Sequence, residues 1–286
     1  MIKELYTKKK PLLSFEVFPP KKENEFPAVY STLDELKALS PDFISVTFGA
    51  GGSNSKKTAE VASYIQNSCK LEALLHMTCI GYKRADLTEA LALLGEHHLH
   101  NLLALRGDRP QTMTDEQYDG RDFIYANEMI AEIRSRHQDT LCIGAACYPE
   151  KHFESTTMEE DLKHLSEKVA AGTDFLITQM FFDNDVFYRF REKAGKMGIT
   201  VPISTGIMPI TSANQLGRSV SLSGSSVPKK LSDLIANYGE HPADMHKAGI
   251  EYAAAQIQDL KNNGVDGIHL YTMNKSATAK EILGML

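Results

Sequence analysis

The sequence predicts a single (β/α)8 barrel, an α/β fold of the TIM-barrel type, that spans residues 1–286 as one domain. Eight short runs rich in apolar and β-branched residues recur along the chain, and segments with helical periodicity separate them. Strands that alternate with helices pair in parallel, because each connection must cross back over the sheet. Eight such units, in a chain slightly longer than the roughly 250 residues typical of the closed barrel, favour that fold. A doubly wound open sheet is the alternative.

The first predicted strand, 12–18, reads Leu-Leu-Ser-Phe-Glu-Val-Phe and stops at Pro19-Pro20. The helix after it repeats apolar residues three and four positions apart from Phe26 to Leu36. The stretch Thr-Thr-Met-Glu-Glu at 156–160 fits a capping box and predicts a helix after the fifth strand. The Ser- and Gly-rich stretch 219–226 predicts a mobile loop after the seventh strand. The remaining predicted strands are 43–48, 73–79, 101–105, 142–148, 175–182, 202–208 and 267–273.

Composition excludes several classes of protein. The net charge of -6 and the lack of a basic stripe with interleaved aromatics argue against a nucleic-acid binder. With no apolar stretch of membrane-spanning length and no signal peptide, we expect a cytoplasmic protein without a membrane partner. The cysteines form no CxxC pair, and the histidines at 97–100 lack metal-ligand spacing, so we expect reduced thiols and no metal.

Glu16 is a carboxylate inside the apolar first strand, where charge is normally excluded. Burial without partners costs several kcal/mol or raises the pKa of a carboxyl group, so Glu16 is either paired or chemically employed. Alternation places Ser14 and Glu16 on one face of the strand. One interpretation is an ion pair with an Arg or Lys inside the barrel; the other is a proton-transfer group with a raised pKa.

Polar residues also mark the ends of the other predicted strands. Catalytic groups of (β/α)8 barrels cluster where the strands end and the connecting loops begin, so residues distant in sequence are predicted to face one pocket. Gln179, an amide on an apolar strand face, needs hydrogen-bond partners that either a ligand or a neighbouring backbone would supply. The strand-end residues, besides Glu16 and Gln179, are Thr47, His76, Arg106, Gly107, Asp108, Tyr148 and Lys275.

Two loops leave alternatives open. In Arg106-Gly107-Asp108, the arginine suits a phosphate or a flat ring, but a salt bridge within the loop is the simpler interpretation. The glycine-rich segment 49–58 follows the second strand without matching the P-loop spacing, and no G-x-G-x-x-G follows the first strand. A Rossmann nicotinamide site is therefore unsupported, although backbone amides of segment 49–58 could meet an anionic cofactor.

Seven motifs in order resemble methylenetetrahydrofolate reductase over nearly the whole chain. Each motif is weak by itself, but their order and their positions at strand ends make the combination specific. The motifs are SFEVFPPK at 14–21, SVTFGA at 45–50, HMTC at 76–79, ALRGD at 104–108, YPEKH at 148–152, ITQMFFD at 177–183 and YTMN at 271–274. The resemblance implies a flavin-dependent barrel that reduces 5,10-methylenetetrahydrofolate to 5-methyltetrahydrofolate and supplies methyl groups for methionine synthesis.

The resemblance also implies roles for individual residues. Glu16 matches the general acid that protonates the folate as its one-carbon bridge opens, and Asp108 matches the acidic residue near the flavin ring. Thr47 and Gln179 match positions that contact nicotinamide or folate. NADH or NADPH would reduce the flavin, and both substrates would use one flavin face in turn, which implies ping-pong kinetics. FAD would be held by Thr47, Phe48, Ala50, His76, Arg106, Gly107, Asp108, Ala126, Tyr148, His152, Asp161 and Lys168.

Two positions depart from bacterial relatives. Lys275 stands where they have an arginine, so it is expected to attract the folate glutamate carboxylate without a bidentate fork. Ala213 aligns with an aromatic residue of those relatives, so stacking on a substrate is expected to differ. We expect a homo-oligomer without the regulatory domain of longer eukaryotic members. The alternatives are a non-catalytic or electron-transferring barrel subunit of a one-carbon complex, and a lyase barrel with a Schiff-base lysine.

Overall fold

Eight parallel strands close into a barrel in sequence order, so the predicted (β/α)8 fold is confirmed. The computed structural model describes residues 1–48, 55–109 and 112–286. Each strand pairs with its sequence neighbours, and β1 closes the barrel against β8. The strands are β1 Leu12–Val17, β2 Phe43–Val46, β3 Glu72–Thr78, β4 Asn101–Leu105, β5 Cys142–Cys147, β6 Phe175–Thr178, β7 Ile203–Ile207 and β8 Gly267–Tyr271.

Helices follow the strands and cover the outside of the barrel. A short π-helical turn, Tyr64–Ser68, extends the helix after β2, and 3-10 turns lie at Glu23–Glu25 and Cys79–Gly81. The α-helices are α1 Ile2–Lys8, α2 Phe26–Lys37, α3 Ser55–Ser63, α4 Arg84–Glu96, α5 Asp115–Asp119, α6 Ala126–His137, α7 Met158–Ala170, α8 Asn184–Lys196, α9 Ala213–Ser223, α10 Lys229–Tyr238, α11 Pro242–Asn262 and α12 Ser276–Leu283. Within the described ranges, none of these helices is long and apolar enough to cross a membrane.

Several predicted strands end one to four residues earlier than their apolar pattern suggests. Strand β6 stops at Thr178, although Gln179 N still donates to Cys147 O of the neighbouring strand, and the chain then reaches the cap of α8 at Asp183. The predicted loop 219–226 is wrong in its first half, since residues up to Ser223 form the last turns of α9. Gly224, in the left-handed region at φ 69°, ends that helix.

Two apolar layers position the strands. The larger core fills the space between the strands and the surrounding helices, and includes Phe15 and Val17 of β1. A second cluster fills the lower barrel, where Phe43 and Phe175 meet Tyr6 of α1. The hydroxyl of Tyr6 lies 2.8 Å from Ser204 Oγ, so α1 closes the amino-terminal end of the barrel. The open end is therefore the carboxyl end of the strands.

Candidate functional site

Two cavities meet at the carboxyl ends of the strands. The central pocket, of about 380 Å³, lies over the barrel interior and reaches Glu16, Gln179 and Asp108. The side pocket, of about 210 Å³, lies between the ends of β4 and β5 and the helices α6 and α7. Arg106 and Tyr148 border both pockets. Together the pockets form one elongated groove that leads from the middle of the barrel to its side.

Glu16 lies at the base of the central pocket between two imidazoles. Its Oε2 atom is 3.5 Å from His76 Nε2 and 3.5 Å from His269 Nε2. The Glu16 side chain is 13% exposed, whereas His269 is fully buried. The interpretation of an ion pair with an Arg or Lys is therefore wrong: the groups beside Glu16 are histidines from β3 and β8.

The raised pKa expected for Glu16 is also wrong. Burial by itself raises the pKa of the Glu16 carboxyl group, but the contacts with His269 and then His76 outweigh it, and the pKa lies below its ordinary value. Burial lowers the pKa of His76 to about 4. At neutral pH the site thus holds an ionised carboxylate beside a neutral His76.

A hydroxyl network below Glu16 fixes the ring of His269. Ser14 Oγ lies 2.7 Å from His269 Nδ1 and 3.2 Å from the carbonyl oxygen of Ile268. When the Ser14 hydroxyl donates to Nδ1, the shorter of the two contacts, the ring proton lies on Nε2 and can be donated to Glu16. Ser45 Oγ lies 3.4 Å from Nε2 on the other side of the ring. Nε2 is thereby aimed at Glu16, and His269 is a positioning residue for the carboxylate.

Gly206 on β7 makes room for an aromatic wall of the pocket. A Cβ atom at this position would lie 2.6 Å from the hydroxyl oxygen of Tyr271 and 2.4 Å from Thr178 O. In the space that glycine leaves, Tyr271 donates its hydroxyl proton to Thr178 O at 2.8 Å. The tyrosine ring is thus held beside Glu16 on the lining of the central pocket.

The loop after β4 combines a positive φ with two charges. Gly107 has φ 83°, and a Cβ there would lie 2.8 Å from Thr78 Cβ, so the backbone packs closely against β3. Asp108 is exposed and borders the central pocket. Arg106 forms a two-pronged ion pair with Glu154, which includes a 2.8 Å bond from Nη2 to Oε1. The loop thus contains an ion pair, but its acidic partner is Glu154 instead of Asp108.

The side pocket is lined by charged groups from α7. Asp161 accepts from the backbone of His152 at 3.1 Å and from Ser155 Oγ at 2.9 Å, which anchors the loop after β5. Lys168 donates to Ala146 O at 2.5 Å, and burial lowers the pKa of its amine. Burial also lowers the pKa of the His152 imidazole. The helix therefore presents three carboxylates, those of Glu160, Asp161 and Glu167, and the amine of Lys168 to a single cavity.

Most of the sequence-predicted site residues line this groove. Phe48 borders neither pocket and packs 5.9 Å from the ring of Tyr82. Lys275 caps α12 at the surface and is also absent from both linings. Ala213 lies beside Gly239, away from the pockets, and Ala50 falls outside the described residues. The residues brought together are Glu16, Thr47, His76, Arg106, Gly107, Asp108, Ala126, Tyr148, His152, Asp161, Lys168 and Gln179.

Sequence reasoning missed several residues of the groove. His269 and Tyr271 alternate in an apolar strand, which is the same signal that singled out Glu16. Glu154 had no such signal, since it lies in a loop whose path only the fold determines. The other missed residues include Tyr125 and Asn127 in the side pocket and Arg218 and Leu222 in the central pocket.

The closed barrel and its groove define a TIM-barrel protein of the class that binds ligands at the carboxyl ends of its strands. The family model for methylenetetrahydrofolate reductase matches residues 1–286. The chain therefore belongs to the methylenetetrahydrofolate reductase family, and the resemblance inferred from its motifs is confirmed.

Curated relatives agree with this assignment. Methylenetetrahydrofolate reductase 1 of Schizosaccharomyces pombe is 34% identical over 280 residues, which cover 98% of this chain and 46% of the relative. Methylenetetrahydrofolate reductase (NADH) 1 of Arabidopsis thaliana is 32% identical, and the aligned region covers 94% of this chain and 47% of the relative. The 5,10-methylenetetrahydrofolate reductase of Pectobacterium carotovorum subsp. carotovorum is 31% identical, and the aligned region covers 92% of this chain and 86% of the relative. The chain thus spans about half the length of the S. pombe and Arabidopsis relatives.

Solved structures share the fold at low identity. A Clostridium thermocellum protein, described as uncharacterized and as binding two copies of 5-methyl-5,6,7,8-tetrahydrofolic acid, is similar with a TM-score of 0.70 and 12% identity over 99% of this chain and 96% of that chain. A dihydropteroate synthase from Xanthomonas albilineans is similar with a TM-score of 0.53 and 13% identity over 96% of this chain and 91% of that chain. These likenesses support the barrel fold.

Proposed function

We propose that this protein reduces 5,10-methylenetetrahydrofolate to 5-methyltetrahydrofolate with electrons from NADH or NADPH, through FAD bound in the groove. The observation that supports this most strongly is the buried carboxylate of Glu16 beneath a pocket that meets a second cavity, in which Arg106 and Lys168 lie among several carboxylates. A proton donor and a site for an elongated anionic cofactor are the two features that this reduction requires. Supply of methyl groups for methionine synthesis follows from the product.

The residues present fit FAD. The groove is elongated, as a flavin joined to an adenosine diphosphate requires. Within the described ranges, two buried polar atoms that face it, His76 Nε2 and Asn127 Oδ1, have no hydrogen-bond partner, and such atoms normally have one. We assign the central pocket to the ring system and the side pocket, with Arg106, Asp161 and Lys168, to the ribose and phosphates. When bound, FAD supplies hydride transfer between the two substrates.

Glu16 would hold the proton that the folate ring takes up when its one-carbon bridge opens. The carboxylate is ionised without substrate, so substrate binding must raise its pKa before it can donate. A folate ring over the pocket would exclude the water that still reaches the 13% exposed side chain, and desolvation raises the pKa of a carboxyl group. The fixed Nε2 of His269 would keep Glu16 oriented during this change.

Other residues at the pocket would orient the substrates. The exposed Asp108 carboxylate would favour the positive charge that develops on the folate one-carbon unit. Gln179 accepts a 2.9 Å bond from the backbone of Met180, which leaves its amide hydrogens for a ligand. Thr47 borders the same pocket. Since both substrates would need this one opening, we propose that they react in turn by a ping-pong mechanism.

The S. pombe and plant relatives are about twice as long as this chain, so activity of the barrel by itself is part of the proposal. A single flavin-binding domain over residues 1–286, a homo-oligomer and a cytoplasmic location stay predictions from the sequence. The alternative of a non-catalytic or electron-transferring subunit is less favoured, because Glu16, Asp108 and Gln179 are all retained at the pocket.

Anaerobic mixing tests the proposed function. Protein loaded with FAD should lose its yellow colour on addition of NADH or NADPH and regain it when 5,10-methylenetetrahydrofolate follows. Comparison of the two nicotinamides identifies the donor. A chain that takes up no FAD, or a reduced flavin that methylenetetrahydrofolate does not reoxidise, would contradict the proposal.

A further inference from the structure

The backbone that follows Gln179 lies beyond the ladder of the sheet. Strand β6 ends at Thr178, and its register with β7 pairs Leu176 and Ile177. The carbonyl groups of residues 180–182 therefore need acceptor contacts that the neighbouring strand does not supply. They find them in the seventh βα unit, which comprises β7 and the helices α9, α10 and α11.

Three consecutive carbonyl groups of this segment accept hydrogen bonds from side chains of that unit. The bonds run from Ser225 Oγ to Met180 O at 2.7 Å, from Gln256 Nε2 to Phe181 O at 3.0 Å and from Tyr252 Oη to Phe182 O at 2.5 Å. Gln256 and Tyr252 lie on α11, and Ser225 lies in the turn between α9 and α10. The seventh unit thus fixes the path of the chain after β6 residue by residue.

The turn that contains Ser225 is itself held in place. Gly224 ends α9 at φ 69°, and the backbone N–H of Ser225 donates to Ser223 Oγ at 3.1 Å. The next residue, Ser226, donates its backbone N–H to Glu150 Oε2 at 3.0 Å, which ties the turn to the loop after β5. Ser225 is 4% exposed. Its hydroxyl therefore donates from a fixed position with little competition from water.

Met180 connects this turn to the central pocket. Its backbone N–H donates to Gln179 Oε1 at 2.9 Å, and its carbonyl accepts from Ser225, so both polar groups of its backbone are occupied. Gln179 and Met180 both border the pocket. Because a backbone N–H can only donate, Oε1 is the atom that faces Met180, and the amide hydrogens of Gln179 are left for a ligand. The orientation of this amide thus depends on the position of Met180.

We propose that Ser225 is a positioning residue for the folate and acts through Met180 on the amide of Gln179. The Ser225 hydroxyl fixes the Met180 backbone, the Met180 N–H fixes Oε1 of Gln179, and the amide hydrogens donate to an acceptor on the folate. An amide that is oriented before binding loses less rotational freedom when the ligand arrives. This inference rests on the proposed function, because it requires Gln179 to contact the folate.

A double-mutant cycle tests the coupling through equilibrium binding of 5-methyltetrahydrofolate to the FAD-loaded protein. We expect Gln179→Ala to weaken binding about tenfold and Ser225→Ala about fivefold, the order expected when one hydrogen bond is lost or loosened. If the hydroxyl acts through Gln179, Ser225→Ala should weaken binding less than about twofold in the Gln179→Ala background. Independent effects would instead multiply to about fiftyfold in the double variant.

Ser232→Ala is the matched control. This exposed serine of α10 also donates its hydroxyl to a carbonyl, that of Lys229 at 2.8 Å, and it borders neither pocket. A second readout is the pH at which flavin reoxidation by methylenetetrahydrofolate slows. It should be the same in Ser225→Ala as in the wild type, since Glu16 retains both of its histidine contacts.

Wild-type folate affinity in Ser225→Ala would overturn the proposal, and so would a fiftyfold loss in the double variant. An equal loss in Ser232→Ala, or a shifted pH dependence in Ser225→Ala, would assign the effect to general loosening of the barrel and would also overturn it. A wild-type protein that binds no folate, or a Gln179→Ala variant with wild-type affinity, would instead contradict the proposed function.

Discussion

Replacing His269 with asparagine separates the two contacts of this buried ring. The asparagine amide reaches the position of Nδ1, so it retains a bond to Ser14, which lies 2.7 Å from the native nitrogen. It cannot reach the position of Nε2, so Glu16 loses the partner that most strongly lowers its pKa. A hydrogen bond to a charged group contributes about 1.5–3 kcal/mol, equivalent to about 1–2 pKa units. The pKa of Glu16 should rise by about that amount.

The pH dependence of the folate half-reaction measures this shift. A carboxylic acid donates only when protonated, so the rate falls as pH rises through its pKa, and a higher pKa moves that limb to higher pH. Stopped-flow reoxidation of the reduced flavin by methylenetetrahydrofolate gives this rate as a function of pH. In His269→Asn, we expect the fall of the rate to occur about 1–2 pH units higher than in the wild type. Flavin reduction by the nicotinamide should be unchanged.

His246→Asn provides the matched control, because His246 contacts Glu281 at 2.8 Å on the surface. His269→Gln is the complementary variant: its longer amide reaches Glu16 but loses the bond to Ser14, so it should shift the limb less. An unshifted limb in His269→Asn, or an equal shift in His246→Asn, would refute the role assigned to His269.

Two further predictions concern the cofactor groove and the pH dependence of stability. Glu154→Gln should strengthen FAD binding about two- to fivefold, because it frees Arg106 from a half-exposed ion pair that contributes about 0.5–1 kcal/mol. Fluorescence titration of FAD binding checks this. Glu159→Gln on the outer surface is the control. The pKa of His76 is about 4 in the folded protein and about 6.5 in the unfolded chain. As pH falls below about 6.5, the unfolded chain therefore binds a proton at His76 that the folded protein does not bind, which lowers the free energy of unfolding. Without FAD, the free energy of unfolding of the wild type should therefore fall by about 3 kcal/mol more than that of His76→Gln between pH 7 and pH 4. Urea denaturation at the two pH values measures this difference. Equal losses in the two proteins would contradict the burial of a neutral His76.

The barrel was predictable because its signals are local and repeat. Each strand has a short apolar run, as in 12–18, and each helix an apolar stripe, as from Phe26 to Leu36. The strand ends were less predictable. Gln179 continues the apolar alternation of its strand, but the barrel pairing ends at Thr178, and no local signal marks that point.

The site was predictable where a polar residue interrupts an apolar strand. Glu16 satisfied that rule, and His269 satisfies it equally in β8. The partners of Glu16 required the register that brings β1, β3 and β8 around one interior, and without them the direction of its pKa shift was wrong. Lys275 and Arg218 show the same limit for surface charges: proximity to a strand end in sequence did not determine which cation borders the pocket.

Glu16→Gln tests the central claim most directly, since glutamine retains the shape of the side chain and cannot donate the proton. With the FAD-loaded variant under anaerobic conditions, we expect NADH or NADPH to bleach the flavin at close to the wild-type rate. Reoxidation of that reduced flavin by 5,10-methylenetetrahydrofolate should be slower by at least about a hundredfold, as expected for loss of a general acid. Equal slowing of both half-reactions, or folate reduction at the wild-type rate, would contradict the assignment of Glu16 as the proton donor.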